Sequence, residues 1–337
     1  MTTPRLGRTP YVLLVPAVLA TALLVVPLVS LVLDTSWRTV PAHLASDTAR
    51  DALLITGLTS LLTVVACLLL GTPLAWLLAR VEFRGRGIVR ALVLVPLVLP
   101  PVVAGVALVT ALGRSGLVGQ HLPFTIPFTT AGVVVAHTFV SMPFYVLAVE
   151  GALRTYGASY DVVAATLGAD RWTTFRRVTL PLALPGVLAG SALAWARSLG
   201  EFGATITFAG NYPGTTQTMP SLIYVALNSD PTVARTLSLI LLVLSVAVLA
   251  TALLVVPLVL PGIGAGMLLA WARALGEFGA TITFAGNYPG TTQTMPLLIY
   301  SRLQSDPEAA YALGLVLLVF SVLVLAVLRD RWLGEAR

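Results

Sequence analysis

The sequence predicts an all-α polytopic membrane protein, a bundle of eight apolar helices, from three observations. Of the 337 residues, 57% are hydrophobic and only 10% are charged, whereas an average soluble domain has about 25% charged residues. Eight apolar stretches are long enough to cross a bilayer core of about 30 Å, which takes roughly 20 helical residues. The last four stretches form two pairs with very similar sequences.

The predicted spans include some with internal proline or charge. The first follows two arginines, as a secretory leader does, but its apolar run is too long for such a leader, so it is expected to be retained. The sixth and seventh spans are joined without any charge, so the chain is expected to turn at Pro257, Pro261 and Gly262. The spans lie near residues 11–33, 52–79, 88–112, 131–149, 182–209, 233–256, 257–283 and 309–328.

The basic residues are 20 arginines with no lysine, and the net charge is +6. With a cytoplasmic amino terminus, 13 arginines fall inside and five outside, which predicts that both termini are cytoplasmic. This distribution explains the charge without a nucleic-acid partner. A phosphate-binding loop needs Gly-Lys-Ser/Thr, so any ATP hydrolysis must occur on a partner chain. The single cysteine, Cys67, is expected to be a small packed residue.

A long repeat occupies the second half of the chain. Residues 180–250, here named repeat A, reappear as residues 256–326, repeat B, with 52 of 71 positions identical. This pattern is typical of tandem duplication. Each copy carries two predicted spans, so the repeat is direct, unlike the inverted repeats of many secondary transporters. We expect a core over residues 1–256, and a peripheral, dispensable second pair over 257–337.

The polar stretch over residues 150–181 is the longest one predicted to face the cytoplasm. Its sequence from 161 to 181, DVVAATLGADRWTTFRRVTLP, resembles the "EAA" loop of permease subunits in bacterial ABC importers. In that family the loop forms a short helix that docks on the ATP-binding subunit. The alternative is an ordinary inward-facing loop. Val162 stands where the family has a glutamate, so that contact would depend on Asp161. The resemblance implies ATPase contacts at Asp161, Ala164, Ala165, Gly168 and Arg171, with Ala164, Ala165 and Gly168 forming a small-residue face.

A second pattern lies in repeat A, where residues 194–211 read AWARSLGEFGATITFAGN. This resembles the fifth span of molybdate-type permeases, in which Ala-Arg is followed two residues later by Gly-Glu-Phe-Gly-Ala-Thr. Sulfate permeases are similar through Gly-Glu-Phe-Gly-Ala, so sulfate or thiosulfate is the alternative to molybdate or tungstate. The resemblance covers residues 11–250 and implies a six-helix permease core.

Arg197 and Glu201 are spaced i, i+4 and are expected to pair on one helical face. Ionised residues at membrane depth usually face a bundle interior or a water-filled path. The pair therefore either borders the anion pathway or fixes helix packing. Repeat B carries its duplicate at Arg273 and Glu277, and Glu201 is expected to matter more because only repeat A directly follows the polar stretch over residues 150–181.

Pro100 and Pro101 are predicted to kink or break the third span, either as a bend lining the pathway or as a static kink. His137 and Ser141 share a helical face and are expected to satisfy an interior hydrogen bond rather than bind a ligand. Gly186 and Gly190 have the spacing of a close helix contact.

The resemblance implies a permease subunit without enzymatic activity, in the bacterial cytoplasmic membrane, that imports an oxyanion, with molybdate preferred. It implies four partners: an ATP-binding subunit dimer that uses ATP, an extracytoplasmic anion-binding protein, a second permease copy and membrane lipid. No directly bound cofactor or metal is expected. The rival interpretation is an inactive duplicated membrane protein whose extra helix pair blocks assembly.

Overall fold

The computed structural model describes residues 11–155, 159–255 and 277–333. Within these ranges every regular element is helical, which confirms the all-α class. The predicted turn at Pro257, most of the seventh predicted span and Arg273 lie outside the described residues.

The amino-terminal part contains seven α-helices in the described ranges, with a short 3-10 helix at Gly119–His121 between the last two. A π-helical turn at Cys67–Gly71 joins α3 and α4 into one continuous helix. The helices are α1 (Tyr11–Asp34), α2 (Val40–Leu44), α3 (Asp47–Ala66), α4 (Thr72–Arg80), α5 (Arg86–Val98), α6 (Pro101–Leu112) and α7 (Thr130–Thr155).

The carboxyl-terminal part follows the repeat. A second π-helical turn, Phe175–Thr179, joins α9 to α10. The helices are α8 (Ser159–Thr166), α9 (Arg171–Thr174), α10 (Leu180–Leu199), α11 (Gly203–Phe208), α12 (Met219–Ser229) and α13 (Pro231–Val255), and then α14 (Gly279–Phe284), α15 (Met295–Ser305) and α16 (Pro307–Leu333). Helices α14 to α16 are the repeat B equivalents of α11 to α13.

The count of eight spans is not confirmed. Five described helices are long and apolar enough to cross a membrane, and a sixth span results if α5 and α6 are counted together. These two meet at a bend of 120°, so the predicted proline break is present. The fifth predicted span, 182–209, is wrong in its extent because α10 ends at Leu199 and the chain restarts as the short α11.

Helix α7 is the centre of the bundle and contacts α3, α4, α5, α6, α10 and α11. Its closest neighbour is α10, where a Cβ added at Gly186 would lie 2.3 Å from the Cβ of Ala152. A Cβ added at Gly190 would lie 3.0 Å from the carbonyl oxygen of Tyr145. Small residues therefore let the two backbones approach, as their spacing predicts.

The described part of repeat B packs on the outside of the bent pair, where α15 contacts α6 and α16 contacts α5 and α6. Leu297 and Ile299 of α15 are buried in the same apolar cluster as Val102 and Val103 of α6. Repeat A holds the interior position against α7, and repeat B covers one side of the core.

Candidate functional site

The segment predicted to couple to an ATP-binding subunit, residues 159–180 (the coupling segment), is tied to its own chain by Asp161. The Oδ2 of Asp161 lies 3.1 Å from the Nε of Arg80, and Thr179 Oγ1 donates a hydrogen bond of 2.8 Å to its Oδ1. These contacts join α8 to the end of α4 and to the turn before α10. Asp161 therefore anchors the segment to its own chain through both carboxylate oxygens, and its contact with a partner stays a prediction.

Gly168 ends α8 in the left-handed conformation, with φ of +83°. Its N–H donates to the carbonyl of Ala165 (3.0 Å), and the N–H of Ala169 donates to that of Ala164 (3.1 Å), the pattern of a Schellman C-cap. A Cβ added at Gly168 would meet nothing within 4 Å. The glycine is required by the backbone turn, whereas the sequence analysis assigned it to a small-residue contact face.

The outward face of the segment carries several large apolar side chains among polar and charged ones. Ala164 is buried against the chain, so the predicted face of Ala164, Ala165 and Gly168 is not a single exposed surface. Leu167 is 82% exposed. Clustered exposed apolar side chains mark a contact with protein or lipid. The exposed residues of the segment include Val162, Val163, Ala165, Leu167, Arg171 and Trp172.

An ion cluster around the buried Glu150 was missed by the sequence analysis. Glu150, near the end of α7, pairs with Arg90 of α5 and with Arg154, whose Nη2 lies 3.0 Å from its Oε1. Arg86 donates from its Nε to the carbonyl of Leu78 (2.8 Å). The i, i+4 spacing of Glu150 and Arg154 could have predicted their ion pair. The sequence carries no comparable signal for the pairing of Glu150 with Arg90 of α5.

The two broken helices of the core meet at their breaks. A Cβ added at Gly203, the first residue of α11, would lie 2.8 Å from the Cβ of Pro101, the first residue of α6. One turn further, a Cβ at Gly105 would lie 2.6 Å from the Cβ of Thr207. Glycine at both positions allows α6 and α11 to cross in direct contact. The structure thus brings Pro101 beside Gly200 and Glu201 at the break.

Glu201 bridges the break between α10 and α11. It is 1% exposed, and its Oε2 pairs with the guanidinium of Arg197 in the last turn of α10. Its Oε1 accepts a hydrogen bond of 2.9 Å from the N–H of Ala204, in the first turn of α11. A carboxylate at a helix amino terminus stabilises the exposed N–H groups there. The predicted pair is present, and the carboxylate holds both sides of the break.

His137 adds a polar side chain from α7 to this region. Its Nε2 lies 3.0 Å from Thr205 Oγ1, and both residues are fully buried. The predicted interior hydrogen bond is therefore made, but to α11 and not to Ser141. Within the described ranges, His137 Nδ1 and Ser141 Oγ have no hydrogen-bond partner.

The duplicate site in repeat B lies against the original. A cavity of about 260 Å³ is lined by Pro101, Glu201 and Gly203 on one side and by Glu277 and Gly279 on the other. Arg273 lies outside the described residues, so the duplicate ion pair stays a prediction. No group of three or more His, Cys, Asp or Glu in the described ranges is arranged to hold a metal ion.

Aromatic rings fix this contact, and the sequence analysis did not single them out. Phe202 stacks on Phe278, each ring touching a tyrosine of its own repeat. The only available signal was their inclusion in the repeated stretch, because hydropathy does not distinguish a buried ring from one facing lipid.

Comparison with known proteins finds relatives that match much of the chain. The family model described as "Binding-protein-dependent transport system inner membrane component" matches residues 71–254. The Molybdenum transport system permease protein ModB of Mycobacterium tuberculosis is 49% identical over 236 residues, covering 69% of this chain and 89% of that protein. Its namesake from Escherichia coli is 43% identical over 188 residues, with 55% and 82% covered. The Probable molybdenum ABC transporter permease protein of Haloferax volcanii is 42% identical over 190 residues, with 55% and 69% covered.

Proposed function

This chain belongs to the family of binding-protein-dependent transport system inner membrane components, and on that premise we propose that it is the permease subunit of an ABC importer for molybdate or tungstate. The observation that carries the substrate is the 49% identity, over 236 residues, to a relative named for molybdenum transport. Sulfate or thiosulfate is the second candidate, because the Gly200 to Ala204 stretch is shared with sulfate permeases.

The partners follow from the family. An ATP-binding subunit dimer supplies the energy from the cytoplasm, so this chain needs no nucleotide site of its own. An extracytoplasmic anion-binding protein delivers the substrate, and a second permease copy completes the pathway within the lipid. The protein lies in the bacterial cytoplasmic membrane with both termini in the cytoplasm, in accordance with the arginine distribution.

The coupling segment is proposed as the ATPase contact, with the exposed side chains of Val162, Val163 and Leu167 as the docking face. Two features support this. Asp161 fixes α8 to Arg80 and Thr179, so a push on α8 reaches the core instead of moving a loose loop. The helix that starts at Arg171 then continues to Leu199 without interruption, and it ends at the Arg197 and Glu201 pair.

The break between α10 and α11 is proposed to border the anion pathway, together with Pro100 and Pro101. Because both carboxylate oxygens of Glu201 are engaged within the chain, Glu201 acts here as a positioning residue. It holds the two helix ends in a fixed relation and does not bind the anion itself. Non-helical backbone at membrane depth is tolerated where protein or a cavity covers it, and the crossing of α6 and α11 supplies such cover.

The ATPase contact is tested by placing a charge on the docking face. Leu167→Asp should abolish co-purification of the ATP-binding subunit and reduce ATP-dependent molybdate uptake, while membrane insertion stays normal. Leu117→Asp is the matched control, because Leu117 is also largely exposed but lies in the α6–α7 loop, predicted to be outside. Normal co-purification and uptake in Leu167→Asp would contradict the assignment.

The substrate is tested by competition. Uptake of labelled molybdate should be suppressed by equimolar tungstate and little affected by the same concentration of sulfate. Stronger suppression by sulfate would favour the sulfate importer. The inactive alternative has one supporting observation, the packing of Phe278 and Glu277 of repeat B against Phe202 and Glu201 of repeat A. It predicts no uptake of any of these anions, because the extra helix pair would block assembly of the transporter.

A further inference from the structure

A cavity of about 550 Å³ lies at the end of the bundle remote from the coupling segment. It is bordered by the end of α6, by the loop that leads to the first residue of α7, and by α16 of repeat B. Arg114, which lines it, is one of the five arginines predicted to lie outside. The cavity is therefore placed on the outer side of the membrane. Its hydroxyl-bearing lining residues are Thr110, Ser115, Thr125 and Tyr311.

The polar groups of this cavity suit an anion. Of the lining residues that the structure describes, Arg114 is charged and none is acidic. Within the described ranges, the side chains of Arg114, Ser115, Thr125 and Tyr311 make no hydrogen bond or ion pair with the rest of the chain. A guanidinium group and several hydroxyl groups can therefore all donate to one bound group.

The turn that carries Arg114 is held in place by its own backbone. The N–H of Leu117 donates a hydrogen bond of 3.2 Å to the carbonyl of Thr110, so the chain folds back on the last turns of α6. A Cβ added at Gly119 would lie 2.0 Å from the carbonyl oxygen of Gly113, which shows how closely the two ends of the turn approach. A rigid support of this kind positions a side chain for binding.

Phe128 forms part of the apolar lining and has a strained backbone. Its φ is +61°, and it is the one non-glycine residue with a positive φ in the described ranges. Its ring makes an edge contact with Tyr212, with centroids 6.2 Å apart. Strained residues persist where their surroundings hold them, and they are frequent at ligand sites.

An apolar stripe leads away from the cavity along α16. Tyr311, Leu315 and Val319 have helical spacing on one face of α16 and are all exposed; we call them the α16 stripe. Leu315 is 61% exposed, whereas Leu239, its equivalent in repeat A, is 5% exposed. Because α16 starts at Pro307 beside the cavity and continues into its most apolar part, the stripe runs from the membrane surface towards the bilayer interior.

A head group with one negative charge and an attached apolar chain matches these features. We propose that the cavity binds the phosphodiester group of an anionic phospholipid, with Arg114, Ser115 and Thr125 donating to its oxygens and an acyl chain lying on the α16 stripe. Guanidinium groups bind phosphate through two parallel hydrogen bonds. The proposal does not rest on the proposed function.

Charge balance selects this ligand among related ones. One guanidinium neutralises the single charge of a phosphodiester, whereas a tetraoxo dianion such as molybdate would keep one uncompensated charge and would leave the apolar lining unused. A zwitterionic lipid carries the same phosphodiester together with an ammonium or choline group, and the lining offers no carboxylate to pair with that cation.

The test measures lipid binding to the purified full-length chain by native mass spectrometry, in detergent with added phosphatidylglycerol or phosphatidylcholine. The chain should bind phosphatidylglycerol more tightly than phosphatidylcholine. Arg114→Gln should lower the affinity for phosphatidylglycerol about tenfold, as expected for the loss of a hydrogen bond to a charged group. Arg302→Gln is the matched control, because Arg302 is exposed and predicted to be outside but does not line the cavity. Its affinity should change less than about twofold.

Leu315→Asp leaves the turn intact and should also weaken the binding of phosphatidylglycerol, because it places a charge on the α16 stripe. Wild-type affinity in both Arg114→Gln and Leu315→Asp, or equal losses in Arg114→Gln and Arg302→Gln, would overturn the proposal. Sodium molybdate should displace no more phosphatidylglycerol than sodium chloride of equal ionic strength. Greater displacement by molybdate would show that the cavity takes a free oxyanion and would overturn the lipid assignment. None of these readouts requires transport or the ATP-binding subunit, so failure here is distinct from failure of the proposed function.

Discussion

Residues 194–224 and 270–300 differ at two of 31 positions, but they have different surroundings. Phe208 is 0% exposed between α6 and α7, and its equivalent Phe284 is 97% exposed. Thr218 is buried and Thr294 is exposed. The same residues are core in one place and surface in the other, because burial is set by the neighbouring helices and not by the local sequence.

The backbone behaves in the opposite way. Helices α12 and α15 each have 11 residues, and the residues before them, Thr218 and Thr294, have nearly equal dihedral angles, φ −84° and ψ 166° against φ −83° and ψ 164°. The preceding glycines, Gly210 and Gly286, both have φ of +75°. Local sequence therefore fixes local conformation in both repeats.

The largest expected contrast is at the buried phenylalanine. Phe208→Ala should lower the free energy of unfolding by about 4 kcal/mol, since it leaves a cavity in the core. Phe284→Ala should change it by less than about 0.5 kcal/mol, as for most surface substitutions. Equilibrium unfolding of both variants in the same detergent measures the difference, and similar losses would mean that repeat B has a buried environment like that of repeat A.

Glu201→Gln should cost about 3 kcal/mol, because it leaves the largely buried Arg197 without its counter-charge. Glu277→Gln should cost less than about 1 kcal/mol, because Glu277 is partly exposed. Molybdate uptake at equal expression should fall severely in the first variant and only slightly in the second. Equal losses of uptake, or a larger loss in Glu277→Gln, would refute the primary role given to repeat A.

A smaller difference in stability is expected at positions 221 and 297, where serine in repeat A corresponds to leucine in repeat B. Leu297→Ser should cost about 2 kcal/mol through lost apolar burial on α6. Ser221→Leu should cost about 1 kcal/mol by overpacking, and it also removes the hydroxyl that lies 3.2 Å from Thr218 Oγ1. Thermal unfolding in detergent distinguishes them, and a stabilised Ser221→Leu would show that the pocket around Ser221 has room for a leucine.

The smallest expected loss of stability is at two glycines that have the same backbone conformation in both repeats. Gly210→Ala and Gly286→Ala should each cost about 1 kcal/mol, because alanine is strained at a positive φ. The nearest side-chain atoms to an added Cβ are 3.1 Å away at both positions, so the two losses should match. A twofold difference between them would show that the loops are constrained by their surroundings and not by their own sequence.

Features encoded within a few residues could be predicted from the sequence. The i, i+4 spacing correctly gave the Arg197 and Glu201 pair, and consecutive prolines gave the break before α6. The long apolar runs gave α1, α7 and α13. Each of these follows from helical periodicity, proline chemistry or hydropathy, which act locally.

Features that depend on distant partners could not be predicted. The end of α10 at Leu199 is stabilised by the hydrogen bond from Ala204 to Glu201 and by the contact of Gly203 with Pro101, about 100 residues earlier in the chain. The inward orientation of Asp161 depends on Arg80 in the same way. Hydropathy records how apolar a stretch is, and the partner that covers it lies elsewhere in the sequence.

The uninterrupted helix from Arg171 to Leu199 is long enough to act as a lever between its two ends. Its 29 residues correspond to a length of about 43 Å at 1.5 Å per residue. If such a rod pivots by about 5° at Arg171, its far end moves by about 4 Å, most of the pitch of one helical turn. A small rotation of the coupling segment is thus enlarged to the size of a side chain where Arg197 and Glu201 hold the break.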